Sequence, residues 1–377
     1  MTDTPKCLAL FEASPSHSEF FRAQLLFLGQ HHYRVHLWIP YQSPYELPAS
    51  FDWVTVHRFT AASFRQRWVL IQRLVHFLNQ HRIGTLVINT AHGSLVRDLV
   101  LRLLLHPVRV VGILHFGEKI AHGSLTQRLI SLKINQYFVL AEYILPRVQR
   151  AAPRLRFAVL HYLTYHPPTH VAASEGLELA IPGNFEPRRR DYEGLIEWVD
   201  QHQTQLARVR FVLLASLASG APGHGERVWR TIRDRQLEPF FEKFDYYLSD
   251  EEMNRRIAQS DAVMPLLHPR TADYGLFSQF AVSGAFNLAF SFRKPLLMYD
   301  QDFTDYPIFR EVSFFYTMDS LLNLLTRLAT HKHQLADKAR AYDGIEAFAF
   351  EHQSASYVRF IERATPTLSL FDAAAHG

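Results

Sequence analysis

The sequence predicts an α/β protein of two doubly wound domains, each a parallel sheet with helices on both faces. Two observations predict it. Short apolar strand-like runs alternate with amphipathic helix-like runs along nearly the whole chain, and a Pro-rich stretch of small residues at 166–176 separates two such series. A length of 377 residues fits two domains of ordinary size.

The first series opens with KCLALFEA as a strand and SEFFRAQLLFLGQH as an amphipathic helix. RVHLWIP is the next strand. ASFRQRWVLIQRLVHFLNQH places apolar residues at three-to-four spacing and reads as a helix. GTLVINT, RVVGILHF and NQYFVLAE read as buried parallel strands, with SLVRDLVLRLLLH and GSLTQRLISLK as the helices between them. After the linker, LELAIPGN is a strand, EGLIEWVDQH a helix and ARVRFVLLASL a strand. GERVWRTIRDRQLEPFFEKF reads as one helix, and FDYYLS as a short strand or loop. DEEMNRRIAQS is a helix with an acidic start, DAVMPLL a strand, AFNLAFSFR a helix and KPLLMYD a strand. SLLNLLTRLATHKHQLADKARAY and EAFAFEHQSASYVRFIERA are helical, and TPTLSLFDAAAHG is a frayed tail. The expected division is 1–176, 177–344 and 345–377, the last a helix packing back on the first domain.

Composition excludes several classes. Apolar content of 48% with 20% charged residues is that of a globular protein, and 29 Phe with 16 Tyr allow a large interior. One cysteine, Cys7, excludes an internal disulfide framework and fits a reducing compartment. MTDTPKCLALFEAS lacks the basic flank and apolar core of a signal peptide. LVLRLLLHPVRVVGILHF is interrupted by Arg102, Pro107 and Arg109, too often for a spanning helix. The expectation is a cytoplasmic protein. Residues 1–178 hold 18 Lys and Arg against 10 Asp and Glu, while the remainder holds 22 against 26. A basic first half attracts phosphates or anionic lipid, which admits a peripheral contact at the inner face of a membrane. The basic residues are dispersed and no nucleic-acid module is present, so no nucleic-acid partner is expected.

Two stretches of the second half point to a bound anion. In SGAFNLAFSFRKPLL, Ser283-Gly284-Ala285 opens a helix, where unpaired N–H groups and the helix dipole favour negative charge. Ser283 is equally placed to be an ordinary capping residue. In LAIPGNFEPRRRDYEGL, Gly183-Asn184 ends a strand and Arg188, Arg189 and Arg190 precede a helix, where they oppose its dipole unless they serve an anion. Guanidinium groups match a pyrophosphate geometrically. A solvated basic turn is the alternative.

Together these stretches resemble the C-terminal domain of GT-B glycosyltransferases, especially glycosyltransferase family 4. Gly183 matches the family's glycine, Asn184 stands where its arginine would be, and Arg189 matches its lysine, with Arg188 or Arg190 as possible compensation for the missing arginine. SDEEMNRRIAQSDAVMPLL resembles the family's helix and alanine-aspartate strand. Ser283-Gly284 and Lys294-Pro295 resemble its glycine-rich loop and its Gly-Lys-Pro ending. The same block is similar to the Ser-Gly-Ala block of the peptidoglycan N-acetylglucosaminyltransferase. In VVGILHF, His115 matches the family's strand-end histidine near the donor sugar.

The resemblance implies a GT-B fold, two Rossmann-like domains facing across a cleft, with acceptor side first and nucleotide-sugar side second. It implies a hexosyltransferase that uses a nucleotide-diphosphate sugar, of UDP or GDP type, as co-substrate, with no metal and with retention of configuration. The acceptor would be a glycan, a lipid-linked glycan or a small molecule, as in polysaccharide biosynthesis. His115, Glu12 and His17 are the catalytic candidates, since Glu12, Ser16 and His17 replace the family's acceptor-loop glycines. Gly183, Asn184, Arg188, Arg189, Arg190, Ser283, Gly284 and Ala285 would hold the diphosphate, and Asn287 and Tyr247 the ribose or base. Asn89, His92 and Gly93 end another strand and are further candidates. One departure matters: the glutamate that holds the ribose would fall at Leu288, which cannot accept those hydrogen bonds, and Asp273 is the nearest earlier carboxylate. A catalytically degenerate nucleotide-binding protein is therefore an alternative, and a nucleotide-sugar epimerase a further one.

Other signals carry less. Asp300-Gln301-Asp302 resembles a two-carboxylate metal loop but follows a strand where a GT-B enzyme needs none. His161, His166 and His170 have irregular spacing for a metal. No Walker loop or intact GxGxxG is present. FRQRWVLIQRLVHF could rest on an anionic surface or be a core helix with a basic outer face.

Overall fold

A computed structural model describes residues 6–15, 17, 19–165 and 175–363. Most of the expected linker at 166–176, with His166 and His170, lies outside the described residues, as do Ser16 and the expected frayed tail. The chain forms two compact units. The first comprises the residues up to Val139, Val148–Leu160 and the segment from Glu351; the second comprises Leu140–Arg147 and His161–Phe350.

The first unit holds seven strands in the order β3-β2-β1-β4-β5-β6-β7. These are β1 (Cys7–Phe11), β2 (Arg34–Pro40), β3 (Val54–Phe59), β4 (Thr85–Ile88), β5 (Arg109–Leu114), β6 (Gln136–Val139) and β7 (Arg156–Val159). Every pairing is parallel. The helices are α1 (Glu19–Gln30), α2 (Phe64–Gln80), α3 (Ser94–Arg102), α4 (Glu118–Ala121), α5 (Leu125–Ile130) and α6 (Leu145–Ala151), the last belonging to this unit only from Val148 on. Ser63 and Gln66 form a capping box that fixes the start of α2. Leu8–Phe11 and Leu86–Ile88 are buried, as parallel strands covered on both faces must be.

The second unit holds six parallel strands in the order β10-β9-β8-β11-β12-β13. These are β8 (Leu177–Pro182), β9 (Val209–Ser216), β10 (Phe241–Phe244), β11 (Ala262–Val263), β12 (Leu296–Tyr299) and β13 (Ser313–Tyr316). The helices are α7 (Tyr192–His202), α8 (His224–Asp234), α9 (Asp250–Gln259), α10 (Tyr274–Gln279), α11 (Gly284–Ser291), α12 (Pro307–Val312), α13 (Met318–Thr330) and α14 (His333–Ala341). The last helix, α15 (Phe350–Glu362), packs within the first unit, where Tyr357 stacks on Phe138 and lies against Phe27.

In both sheets the strand order reverses once, between β1 and β4 and between β8 and β11. The chain leaves these strands in opposite directions, and the carboxyl ends there open the crevice that ligands use in doubly wound sheets.

Several local expectations are corrected. The run expected as one helix from Gly225 ends at Asp234, because Gln236 takes a positive φ of 57° and Pro239 cannot continue an α-helix. Phe241–Phe244 is instead the edge strand β10, and the rest of FDYYLS is loop. The long helix after Ile308 is two helices, α13 and α14, broken at His331. Only Ala262–Val263 of DAVMPLL pairs as a strand, since Leu266 turns to φ 54°. Strands β3, β7 and β13 were not expected. Among the described residues no helix is long and apolar enough to cross a membrane.

Candidate functional site

In the second unit the chain leaves β8 through Gly183, whose φ of 108° is the left-handed region that favours glycine. A Cβ at Gly183 would lie 2.0 Å from the Arg190 guanidinium. The turn that follows sends the three arginines in different directions. Arg188 is 71% exposed and pairs with Asp273 at 2.7 Å. It lines an open groove with Glu193, Glu197 and Arg270, a poor setting for a diphosphate. Arg190 is buried beneath Gly183 and donates to the Asn184 carbonyl at 3.1 Å. Burial pushes its pKa down. Asn184 itself is exposed.

Arg189 has a third direction. Its Nη2 donates to the Ser283 hydroxyl at 3.3 Å, and its guanidinium lies 3.9 Å from the centre of the Phe277 ring. Its Nε is buried without a partner, and it forms no salt bridge with a carboxylate among the described residues. Burial, then the neighbouring Arg190, pushes its pKa down to about 9. A cation held under that strain gains from an added anion, because the neutralising charge removes both penalties.

Ser283 occupies the N-cap position of α11 with φ −80° and ψ 129°, yet its side chain makes no capping bond. The hydroxyl accepts from Arg189 instead. The reading of Ser283 as an ordinary cap therefore fails. Gly284 follows, exposed, with no atom of the described residues within 4 Å of where its Cβ would stand and no positive φ. Neither backbone conformation nor packing asks for glycine here. The Tyr143 hydroxyl donates to the Ala281 carbonyl at 2.6 Å and fixes the segment leading into Ser283. Ala285 is buried, and Asn287, one turn on, is buried with both amide atoms unpartnered among the described residues. Leu288 is half-buried on the same helix, and Tyr247 is 82% exposed on the loop after β10. The structure thus brings together Arg189, Ser283 and Gly284, and leaves Arg188 and Asn184 outside that group.

In the first unit, Glu12 follows β1, Asn89 follows β4 and His115 follows β5, three neighbouring strands at the reversal. Glu12 is buried. Its Oε1 accepts from the Ser14 amide at 2.6 Å, and its Oε2 has no partner among the described residues. Burial pushes its carboxyl up to about 7. His115 Nε2 donates to the Asn89 carbonyl at 2.9 Å, leaving Nδ1 as the acceptor. Burial and then His17 hold His115 well below its usual range, so it is neutral. The His17 ring lies 3.9 Å from that of His115. Burial opposes its charge, but Glu19, at 3.3 Å, and Glu12 raise its pKa.

Asn89 is placed differently from the expectation of a ligand-facing group. Its amide exchanges two bonds with Gln24, at 3.0 and 2.7 Å, and Gln24 also donates to Tyr357. Asn89 positions His115 through its carbonyl. His92 is half-buried with an Nε2 that has no partner among the described residues, and Gly93 takes φ 90° to start α3. Sequence reasoning missed Phe277 and Gln24. Each meets its partner across a long stretch of chain, and neither belongs to a motif. Among the described residues no group of three or more His, Cys, Asp or Glu could hold a metal ion.

No protein-family model matches the chain, and no curated protein matches its sequence. Solved structures do match. Sucrose-phosphate synthase from Thermosynechococcus elongatus aligns with a TM-score of 0.68 at 11% identity, over 94% of this chain and 98% of its own. A glycosyltransferase from Rickettsia africae ESF-5 aligns at 0.66 and 10% identity, over 96% and 100%. HepE from Anabaena, solved in complex with UDP, aligns at 0.63 and 14% identity, over 94% and 98%. At these identities the likeness establishes the fold. The chain has the GT-B fold, with parallel sheets of seven and six strands.

Proposed function

We propose that this chain is a glycosyltransferase that moves a sugar from a nucleotide-diphosphate donor to a hydroxyl acceptor, without a metal and with retention of configuration. The observation that supports it most is the trio in the second unit. A half-buried arginine with no carboxylate ion pair among the described residues meets a serine that declines to cap its helix, beside a glycine that the fold does not require. When the bond from the anomeric carbon to the diphosphate oxygen breaks, negative charge grows on that oxygen. Arg189, the Ser283 hydroxyl and the free amides of Gly284 and Ala285 are fixed donors for that charge, the kind of preorganised stabilisation that dominates transfer reactions.

The first unit supplies the proton chemistry. Neutral His115 offers Nδ1 to a sugar hydroxyl, and Glu12, near neutrality, is able to hold or release a proton for the acceptor. Structural relatives solved with UDP and UDP-glucose make UDP the first nucleotide to try.

Incubation with UDP-, GDP- and ADP-sugars, with released nucleotide as the readout, tests the reading. Donor consumption that falls at least tenfold in Arg189→Ala supports it. Tight nucleotide binding without consumption, in keeping with Leu288 at the ribose position, would replace the enzyme by a binding protein. Neither binding nor consumption would remove the reading.

A further inference from the structure

The basic excess of the first half has one location. Residues 64–133 hold ten Lys and Arg against two acidic residues, Asp98 and Glu118. The rest of residues 1–178 is balanced, at eight against eight. This segment builds α2, α3, α4 and α5 with β4 and β5 between them; Arg109, on β5, donates to the Ile361 carbonyl and Arg97 pairs with Asp98, so those two are not available to a partner. Right-handed crossovers from β3 to β4, β4 to β5 and β5 to β6 all move the same way along the sheet, so these helices cover one face of it.

The same layer carries exposed hydrocarbon. Of ten large apolar residues exposed among the described residues, seven fall in this segment. Leu105, on the turn after α3, is 96% exposed; Phe64, at the start of α2, 81%; and Leu125, at the start of α5, 74%. Trp68 and Leu132 are more than half exposed. Nothing in the fold rewards these positions, since water contacts most of each side chain. Three arginines stand among them with no ion pair among the described residues: Arg65 beside Phe64, Arg102 near Leu105 and Arg128 one turn from Leu125. Arg67 and Lys133, by contrast, are spent on the Ala61 and His106 carbonyls.

We infer that the outer face of the α2–α5 layer is a docking surface for an anionic lipid bilayer. Unpaired guanidinium groups match lipid phosphates, and the protruding Leu, Phe and Trp side chains match the acyl boundary just beneath them. Charge complementarity selects the occupant. A nucleic acid would use the cations but gains little from leucines, which cannot stack on bases. A second copy of the same basic face would repel itself.

The test is sedimentation of the full chain, without nucleotide, with vesicles of phosphatidylcholine alone or with 30% phosphatidylglycerol, a composition chosen about equal to a strongly anionic leaflet. The expected result is binding to the anionic vesicles that weakens at least tenfold in high salt and in pure phosphatidylcholine. Phe64→Ser combined with Leu105→Ser should weaken it at least tenfold, and so should Arg65→Glu combined with Arg128→Glu. Circular dichroism checks that each pair folds, and the two pairs fail independently. Absence of binding to anionic vesicles would overturn the inference. So would unchanged binding in both pairs of variants, or a preference for duplex DNA over vesicles, or concentration-dependent dimerisation that blocks the face. Nucleotide binding is measured separately, so failure here leaves the transferase reading intact.

Discussion

Glu12→Gln probes the first unit through stability rather than turnover. Burial raises the Glu12 carboxyl from 4.5 to about 7. The protonated form therefore favours the fold. Its stabilisation is complete below the unfolded-state pKa and is lost as pH rises through about 7. Between pH 5 and pH 8 the linkage amounts to about 2–3 kcal/mol of lost stability, at 1.36 kcal/mol per pKa unit. Glutamine keeps the shape and cannot ionise. The other groups facing this site are His17, Glu19, Thr90 and the Ser14 amide, and they remain in the variant. Urea unfolding of both proteins at pH 5 and pH 8, followed by tryptophan fluorescence, reads the difference. The variant should gain about 2–3 kcal/mol relative to wild type over that interval. A pH-independent difference would show that Glu12 is solvated and ionised throughout, and would withdraw it as a neutral-pH proton carrier.

Other substitutions have distinct signatures. Gly183→Ala forces a side chain into the left-handed region and onto Arg190, and should cost about 1–3 kcal/mol in chemical denaturation. Gly284→Ala meets open space in a helical first turn, so stability should hold or rise by up to about 1 kcal/mol, while nucleoside-diphosphate affinity falls about tenfold by calorimetry. Arg188→Ala removes an exposed, solvent-screened pair with Asp273 and should leave both the urea midpoint and nucleotide affinity essentially unaltered.

The alternation of runs such as RVHLWIP and ASFRQRWVLIQRLVHFLNQH made most of the doubly wound architecture legible before any coordinates. The edge strands were not. VTVHRF and RFAV mix Arg and His with apolar residues, because one side of an edge strand meets solvent, and they lose the buried-strand signature. Phe241–Phe244 was absorbed into a helical pattern that Pro239 in fact terminates.

At the site, the residue types were legible and their directions were not. Three consecutive arginines on one turn cannot be ranked from sequence, because each points elsewhere: Arg188 to Asp273, Arg189 to Ser283 and Arg190 beneath Gly183. The partners lie 85 and 94 residues away, beyond any local pattern. Likewise only coordinates distinguish a serine that caps from one that accepts an arginine.

The central claim is that Arg189, Ser283 and Gly284 grip the terminal phosphate of a nucleoside diphosphate. Calorimetric titration of UDP and UMP into wild type and Arg189→Ala tests it most directly. UDP should bind wild type roughly 10–100-fold more tightly than UMP, as one charge-assisted contact warrants, and the variant should bind the two alike. Equal affinities in wild type, or a UDP preference that survives in the variant, would contradict it.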